Sequence, residues 1–377
     1  MRRCAAFLVW AALAAGASAQ DMRFFYPAPP ATTFQAIKDV QYGTSGADPL
    51  RLDIYRPAGT GVHPTLIFSN LAYGPQRSGA FYVNWAQIAA SKGITAIVPD
   101  LRAESYVDDM VKLLDYLTSD DSVAHGIDRD AIAVYAGSGN VSRTLPFVQN
   151  ARSKTIKAAV MYYGAAEVKE YRADLPILFV RAGLDRPALN QAITRIVSEA
   201  VTQNAPWTLL NHPGGRHAFE IRNEDEATRR IIDDTLAFVK SATSQSYQTA
   251  LRNALAEATA AGHVTAGRSA EAVTAYASLV KNRSDDPTLH LAYGEALLAD
   301  RQFAAACAEF EKLKGKSLGP RDLGIPAARA CFQKGDVDAA LAWLRGIPQQ
   351  YRPNLLDDPM FASIREREEF QALFPRK

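Results

Sequence analysis

Three residues of the 377-residue sequence have side chains that together can perform nucleophilic catalysis: Ser138, Asp185 and His217. Each follows an apolar segment that predicts a β-strand. A serine hydroxyl attacks poorly near neutral pH unless a histidine takes its proton, and a carboxylate holds that imidazole in the required tautomer. The chain order serine, aspartate, histidine therefore predicts a nucleophile, an orienting acid and a general base that converge at one edge of a sheet.

The region from Asp39 to Lys240 contains the segments that would position these side chains. Short β-branched or aromatic runs alternate there with stretches of helical period, a pattern typical of a mostly parallel sheet covered by helices. Eight strands are predicted, at residues 37–43, 49–55, 64–69, 94–98, 131–136, 157–163, 176–182 and 206–211. A tight turn joins the first two and helix-length spacers join the later ones, so we expect an antiparallel edge followed by a parallel remainder.

The sequence around Ser138 predicts a sharp turn from a strand into a helix. Residues 136–140 read Ala-Gly-Ser-Gly-Asn, and small residues suit such a turn because it strains the serine backbone and brings strand and helix close together. The segment resembles the nucleophile elbow of the α/β-hydrolase superfamily. It departs from the Gly-x-Ser-x-Gly pattern at Asn140, which is bulkier than the glycine usually found there.

Gly137 and Gly139, followed by a helix, also match part of a dinucleotide-binding loop. Such a loop belongs in the first βαβ unit and needs an acid at the end of the next strand, about 20 residues on. Here the loop lies in the middle of the predicted sheet, and the next strand ends in Tyr162-Tyr163-Gly164. The pattern therefore disfavours a dinucleotide site.

Two later loops extend the resemblance. Asp185 ends the loop after the strand at 176–182, where the superfamily keeps its acid. His217 lies in the glycine-rich segment 211–219, which resembles the closing loop of dienelactone-hydrolase-like esterases. His212, closer to the strand, is the alternative base. The resemblance implies an eight-stranded α/β-hydrolase domain that hydrolyses carboxylic esters through an acyl-enzyme without a metal or organic cofactor, and a peptidase of the same fold is the alternative.

A tetrahedral intermediate also needs backbone donors for its oxyanion. We expect one from Gly139 and the other from Asn70 or Leu71, which follow the third strand. Tyr73 in the same loop is an expected substrate contact, with ordinary packing as the alternative. The superfamily commonly begins this loop with His-Gly, which this chain lacks. Together with Asn140, that departure leaves a second hypothesis open, a binding or scaffold protein whose hydrolase domain is inactive.

The region after Ser241 is alanine-rich and of helical period, and it contains a repeat. Three sets of positions recur at an interval of 34 residues: Gly267, Ala272 and Tyr276, then Arg301, Ala306 and Phe310, then Gly335, Ala340 and Leu344. This period resembles that of tetratricopeptide repeats and implies a protein or peptide partner. Helical pairs of another kind are the alternative. The repeats are predicted over residues 253–354, with a closing helix over 355–373.

The first 19 residues predict a cleaved signal peptide. Arg2 and Arg3 precede an apolar run that ends in Ala17-Ser18-Ala19, the small-x-small pattern that a signal peptidase accepts. We therefore expect an exported mature chain that begins near Gln20, in the periplasm or outside the cell. A retained anchor is the alternative, but the run is shorter than the ~20 residues that a bilayer span needs.

Charge and cysteine content exclude further classes of function. Without Arg2 and Arg3 the 42 basic residues become 40, which equals the 40 acidic residues. Such a balance gives no electrostatic basis for nucleic-acid binding. The two remaining cysteines, Cys307 and Cys331, match no zinc motif and form either one bridge or two small core residues. The predicted organisation is a signal peptide (1–19), an α/β-hydrolase domain (20–242) and an all-α helical repeat domain (243–377).

Overall fold

A computed structural model describes residues 24–70, 77–352 and 355–374. The chain divides into two compact units, one ending at Thr249 and the other beginning at Ala250. The predicted signal peptide lies outside the described residues. Within the described residues, every helix is too short or too polar to cross a membrane.

The first unit is built on one eight-stranded sheet. Its strands are β1 Phe34–Ser45, β2 Asp48–Pro57, β3 His63–Ser69, β4 Thr95–Pro99, β5 Ile127–Gly137, β6 Ile156–Tyr162, β7 Ile177–Ala182 and β8 Trp207–His212. They lie in the order β1-β2-β4-β3-β5-β6-β7-β8. β2 runs antiparallel to both β1 and β4, and all other neighbours are parallel. The predicted strands and the antiparallel edge are therefore confirmed.

Helices cover both faces of this sheet. They are α1 Ala80–Ser91, α2 Tyr106–Leu117, α3 Asp120–Val123, α4 Val141–Val148, α5 Pro187–Thr202 and α6 Glu226–Thr243. Helices α1 and α6 enclose one core with the strands, while α2, α4 and α5 enclose the other. Because side chains alternate along a strand, Leu66 and Phe68 enter the first core and Ile67 the second. Burial on both faces explains why the central strands are apolar nearly throughout.

A group of aromatic rings fills the core under α1. The ring of Trp85 lies 6.1 Å from Phe68 and 5.2 Å from Tyr135, and Tyr135 lies 5.1 Å from Tyr162, between ring centroids. Trp85 is completely buried. It therefore packs the helix onto the sheet. We refer to Trp85, Phe68, Tyr135 and Tyr162 as the aromatic stack.

The second unit contains paired helices with a regular spacing. Most of the residues of α7 Gln245–Thr265 belong to this unit, and they are followed by α8 Ser269–Asn282, α9 Pro287–Ala299, α10 Phe303–Glu311, α11 Pro320–Gln333 and α12 Val337–Gly346. The starts of α8, α10 and α12 are separated by the same interval as the sequence repeat. The residues two positions before those starts, Gly267, Arg301 and Gly335, all have left-handed backbones, with φ of 70°, 60° and 95°. The repeat in the sequence thus corresponds to a repeat in the positions of the helices and of the left-handed residues before them.

The small repeated residues allow close approach of helices. Ala272, Ala306 and Ala340 are completely buried. At Gly294 of α9 a Cβ atom would come within 2.5 Å of the ring of Phe310 in α10. A larger side chain at these positions would push the helices apart.

The prediction of a single closing helix over residues 355–373 is wrong. This segment instead contains a 3-10 turn at Pro359–Ile364 and the four-residue helix α13 Glu368–Gln371. Asp358 and Pro359 account for the difference, because the Asp358 carboxylate accepts a hydrogen bond from the Met360 N–H at 2.9 Å and proline starts a new helical turn. The resulting turns bury Phe361 and Phe370 in the core of this end of the unit.

Cys307 of α10 and Cys331 of α11 form a disulfide, with their Cα atoms 4.9 Å apart. Both side chains are buried. The interpretation of two separate core thiols is therefore wrong. The sequence could not decide this because the pairing depends on how closely two helices approach.

We expect Cys307→Ser to lower the stability of the helical unit by about 3 kcal/mol, since the bridge closes a chain segment of 24 residues. Hydrogen exchange measured by mass spectrometry on the mature chain would follow α10 and α11 separately from the sheet. Reduced wild type should behave like the variant, and peptides from the first unit provide an internal control. Equal protection of α10 and α11 in oxidised wild type and in the variant would contradict this expectation.

Candidate active site

Ser138 lies at the turn between β5 and α4. Its φ is 56°, a left-handed conformation that is strained for a residue with a side chain. The turn requires close approach by the segment after β6, where a Cβ on Gly164 would stand 2.4 Å from the Ser138 carbonyl oxygen. The side chain is half-buried, and Gly139 beside it is exposed. The predicted sharp turn is thus present.

Asn140 fits into this turn without a glycine. Its φ of −64° and ψ of −27° are helical, so the backbone needs no left-handed conformation there. The side chain points inward, where its Nδ2 donates a hydrogen bond of 2.9 Å to the Tyr82 hydroxyl of α1. The Asn140 side chain, which is larger than the usual glycine, therefore packs against α1 and away from the exposed Gly139.

Ser138, His217 and Asp185 form one chain of hydrogen bonds. Ser138 Oγ lies 2.8 Å from His217 Nε2. His217 Nδ1 lies 2.5 Å from Asp185 Oδ2. The Asp185 side chain is 3% exposed and that of His217 is 26% exposed. The buried carboxylate faces an imidazole whose other nitrogen is open to the serine, which is the geometry required for base-assisted attack.

The loop that ends at Asp185 is held by hydrogen bonds that the sequence pattern did not indicate. Asn190 of α5 donates through Nδ2 to the carbonyl oxygens of Ala182, at 2.9 Å, and Gly183, at 3.3 Å. The Arg186 N–H donates to Asp185 Oδ1 at 2.7 Å. These bonds fix the direction of the carboxylate. An asparagine early in the helix after the acid was the available signal, but asparagine at such positions is common.

The loop that carries His217 is fastened in two ways. Asn223 accepts a hydrogen bond of 3.0 Å from the Arg216 N–H and donates one of 3.0 Å to the Gly214 carbonyl oxygen. The Leu184 N–H donates to the Gly215 carbonyl oxygen at 2.8 Å, which ties this loop to the one before Asp185. These hydrogen bonds hold the backbone of the loop just before His217, and so they set the position of the imidazole.

His212 and Asp174 do not take part in this chain of hydrogen bonds. His212 is buried, and its Nε2 lies 3.1 Å from the Thr228 hydroxyl of α6 and 3.3 Å from Asp225 Oδ1. Asp174 lies before β7, at the opposite end from Asp185, and pairs with Arg172 at 2.9 Å. The alternative base thus contacts residues at the start of α6 and forms no hydrogen bond with Ser138 among the described residues.

The His217 ring also faces Tyr163, with ring centroids 4.8 Å apart. The Tyr163 hydroxyl donates to the carboxylate of Glu220, at 3.1 Å from Oε1 and 3.0 Å from Oε2, and the Tyr135 hydroxyl donates to Oε1 at 3.2 Å. Burial raises the pKa of the Glu220 carboxyl to about 7, although hydrogen bonds from both tyrosines oppose the shift. No pattern in the sequence indicates this glutamate, because its burial depends on the whole fold.

The predicted oxyanion loop is described only at its start. Asn70 is completely buried and donates through Nδ2 to the Pro99 carbonyl oxygen at 2.7 Å. This bond fastens the end of β3 to the end of β4. Leu71 and Tyr73 lie outside the described residues. Within the residues that the structure describes, histidine, cysteine and acidic side chains form no group that could hold a metal ion.

Residues 144–255 match the Dienelactone hydrolase family. The matched segment contains Asp185 and His217 and begins six residues after Ser138. Most of the matched segment lies in the first unit, which contains the eight-stranded, mostly parallel sheet. The curated proteins gave no significant match to this chain.

Solved structures of esterases resemble the chain at low sequence identity. An esterase of Pyrobaculum calidifontis is 15% identical, with a TM-score of 0.47 over 55% of this chain and 85% of that one. An esterase of Rhizomucor miehei is 17% identical, with a TM-score of 0.47 over 55% and 84%. Esterase B of Lactobacillus rhamnosis is 16% identical, with a TM-score of 0.49 over 61% and 91%.

Proposed function

We propose that the protein hydrolyses carboxylic esters through a covalent acyl-enzyme on Ser138. The observation that carries the proposal is the continuous pair of hydrogen bonds, 2.8 Å from Ser138 Oγ to His217 Nε2 and 2.5 Å from His217 Nδ1 to Asp185 Oδ2. The strained backbone of Ser138 supports it further, because such strain exposes the hydroxyl at the edge of the sheet.

The proposed reaction has two halves. Ser138 Oγ attacks the ester carbonyl carbon while His217 Nε2 takes the hydroxyl proton, and Asp185 stabilises the imidazolium that results. His217 then gives this proton to the leaving alkoxide, and the acyl group remains on the serine. A water molecule attacks the acyl-enzyme with His217 again as base, which releases the carboxylic acid and restores the hydroxyl.

The oxyanion of each tetrahedral intermediate needs donors in a fixed position. We propose the N–H of Gly139, an exposed residue, as the first donor and the N–H of Asn70 or Leu71 as the second. Removing one such donor typically costs 10²–10³ in rate, so their position matters nearly as much as the base. Tyr73 is proposed as a substrate contact in the same loop.

A fluorophosphonate probe tests the proposal, because it reacts only with a serine that a base activates. We expect wild type to be labelled once per chain and Ser138→Ala not to be labelled. Ser142→Ala is the matched control: Ser142 lies one turn further along, and its hydroxyl donates to the Gly139 carbonyl oxygen at 2.7 Å. Absence of labelling in folded wild type, or labelling that persists in Ser138→Ala, would refute the proposed nucleophile.

A second candidate function is binding by the helical unit, with the hydrolase domain inactive. The regular helix pairs of the second unit favour it, and we propose that they are tetratricopeptide-like repeats that bind a protein or peptide partner. The probe separates the two functions, since a scaffold with an inactive hydrolase domain would not react. If labelling occurs, the same protein can both hydrolyse esters and bind a partner through the helical unit.

We also propose that the protein is exported and processed near Gln20. The basic and apolar residues of segment 1–19 support this, and so does the disulfide between Cys307 and Cys331. Disulfides persist mainly in oxidising compartments. The periplasm or the cell exterior is therefore the proposed location.

A further inference from the structure

Glu220 is a completely buried carboxyl group. The hydroxyls of Tyr163 and Tyr135 lie beside it, and both donate to it. Across the described residues, no lysine, arginine or histidine forms an ion pair with Glu220. A buried carboxylate without a cation is costly to the folded state, and an apolar residue of similar size would be cheaper. A group kept in such a position is a candidate for a role in function.

The position of Glu220 in the structure indicates what that role is. Tyr135 lies on β5 three residues before Ser138, and Tyr163 follows β6 and faces the His217 ring at 4.8 Å. Glu220 itself belongs to the His217 loop, three residues further along. One carboxyl group therefore fastens together the strand that leads to the serine, the ring that supports the imidazole and the loop that carries the imidazole.

We propose that Glu220 is a positioning residue that holds the His217 imidazole against Ser138, acting through the hydroxyls of Tyr163 and Tyr135. The inference rests on the proposed function and adds a residue to it. Glu220 accepts from Tyr163 through both of its oxygens, so the carboxylate holds the hydroxyl end of that ring in place. Small displacements of a catalytic group from its reactive geometry cost large factors in rate.

Glu220→Gln is the first test, because glutamine keeps the size of the side chain but replaces one acceptor oxygen with a donor. We expect kcat for a p-nitrophenyl ester to fall at least tenfold while KM stays within about twofold, since the substrate-binding groups are untouched. Tyr163→Phe should give a similar loss. If Glu220 acts through Tyr163, the double variant should lose no more than the worse single variant.

Tyr162→Phe is the matched control. It removes a buried hydroxyl from the same aromatic stack, but this hydroxyl bonds to Thr235 at 2.6 Å. Because Tyr162 makes no hydrogen bond to Glu220 among the described residues, we expect its kcat and KM to match those of wild type. Circular dichroism on every variant measures the folded fraction. Folded Glu220→Gln with kcat within twofold of wild type, or equal losses in Tyr162→Phe, would overturn the proposal.

A spectroscopic measurement tests the proposal without turnover. The proton between His217 Nδ1 and Asp185 should give a far-downfield ¹H NMR resonance. In Glu220→Gln we expect this resonance to shift and to exchange with water several-fold faster, with no change in Tyr162→Phe. An unchanged resonance in Glu220→Gln overturns the positioning role. Lack of ester turnover and probe labelling in wild type would instead refute the proposed function.

Discussion

Replacing His217 with alanine is expected to lower kcat for ester hydrolysis by about 10⁴-fold or more. The imidazole lies 2.8 Å from Ser138 Oγ, and no other base contacts that hydroxyl among the described residues. Without it the serine must lose its proton to water, which is a poor base. Steady-state kinetics with a p-nitrophenyl ester would measure the loss, and the rate of phosphonate labelling should fall in parallel.

His212→Ala is the control for this prediction. His212 is the last residue of β8, and it contacts Thr228 and Asp225 at the start of α6. Its loss should lower the melting temperature and leave kcat within about threefold of wild type. If His212→Ala abolished turnover and His217→Ala did not, the assignment of the base would be wrong.

Replacing Asp185 with asparagine is expected to lower kcat by about 10⁴-fold. Asparagine has nearly the same shape, but it cannot offer two acceptor oxygens to the Arg186 N–H and to His217 Nδ1. The imidazole would then adopt the wrong tautomer. Its proton would be on Nε2, the nitrogen that must accept the proton of Ser138. The expected signature is a large loss in kcat with little change in KM.

Asp174→Asn provides the comparison for Asp185. Asp174 precedes the same strand but is half-exposed and pairs with Arg172. The hydrogen bond from Arg172 lowers the pKa of the Asp174 carboxyl. An ion pair at the surface of this kind contributes little to stability. We expect kcat to be unchanged and stability to fall by less than about 1 kcal/mol. A loss of activity in Asp174→Asn equal to that in Asp185→Asn would show that the effect is not specific to the hydrogen-bond chain.

The eight strands were predictable because their signal is local. Apolar residues fill segments such as 64–69 and 131–136, and turns or helix-length spacers separate them. Burial on both faces of a parallel sheet produces such runs directly. The turn at Ser138 was predictable for a similar reason, since small residues between a strand and a helix indicate a close crossing.

Contacts between distant segments were not predictable from these patterns. The hydrogen bonds from Tyr135 and Tyr163 to Glu220 join residues 85 and 57 positions apart. Asn190 and Asn223 hold the two site loops, yet in the sequence each is an ordinary polar residue of a helix or loop. The disulfide between Cys307 and Cys331 depended on the spacing of two helices, which the repeat did not specify.

The sequence by itself determined the order of strands and helices along the chain, the period of the second unit and the residues proposed to perform acyl transfer. These features follow from side-chain type and from periodicities that extend over a single element. The tertiary structure decided which histidine reaches the serine, because His217 and Ser138 are 79 residues apart and their meeting depends on how several loops close. It also decided that Glu220 lies in the core, since burial is a property of the whole fold.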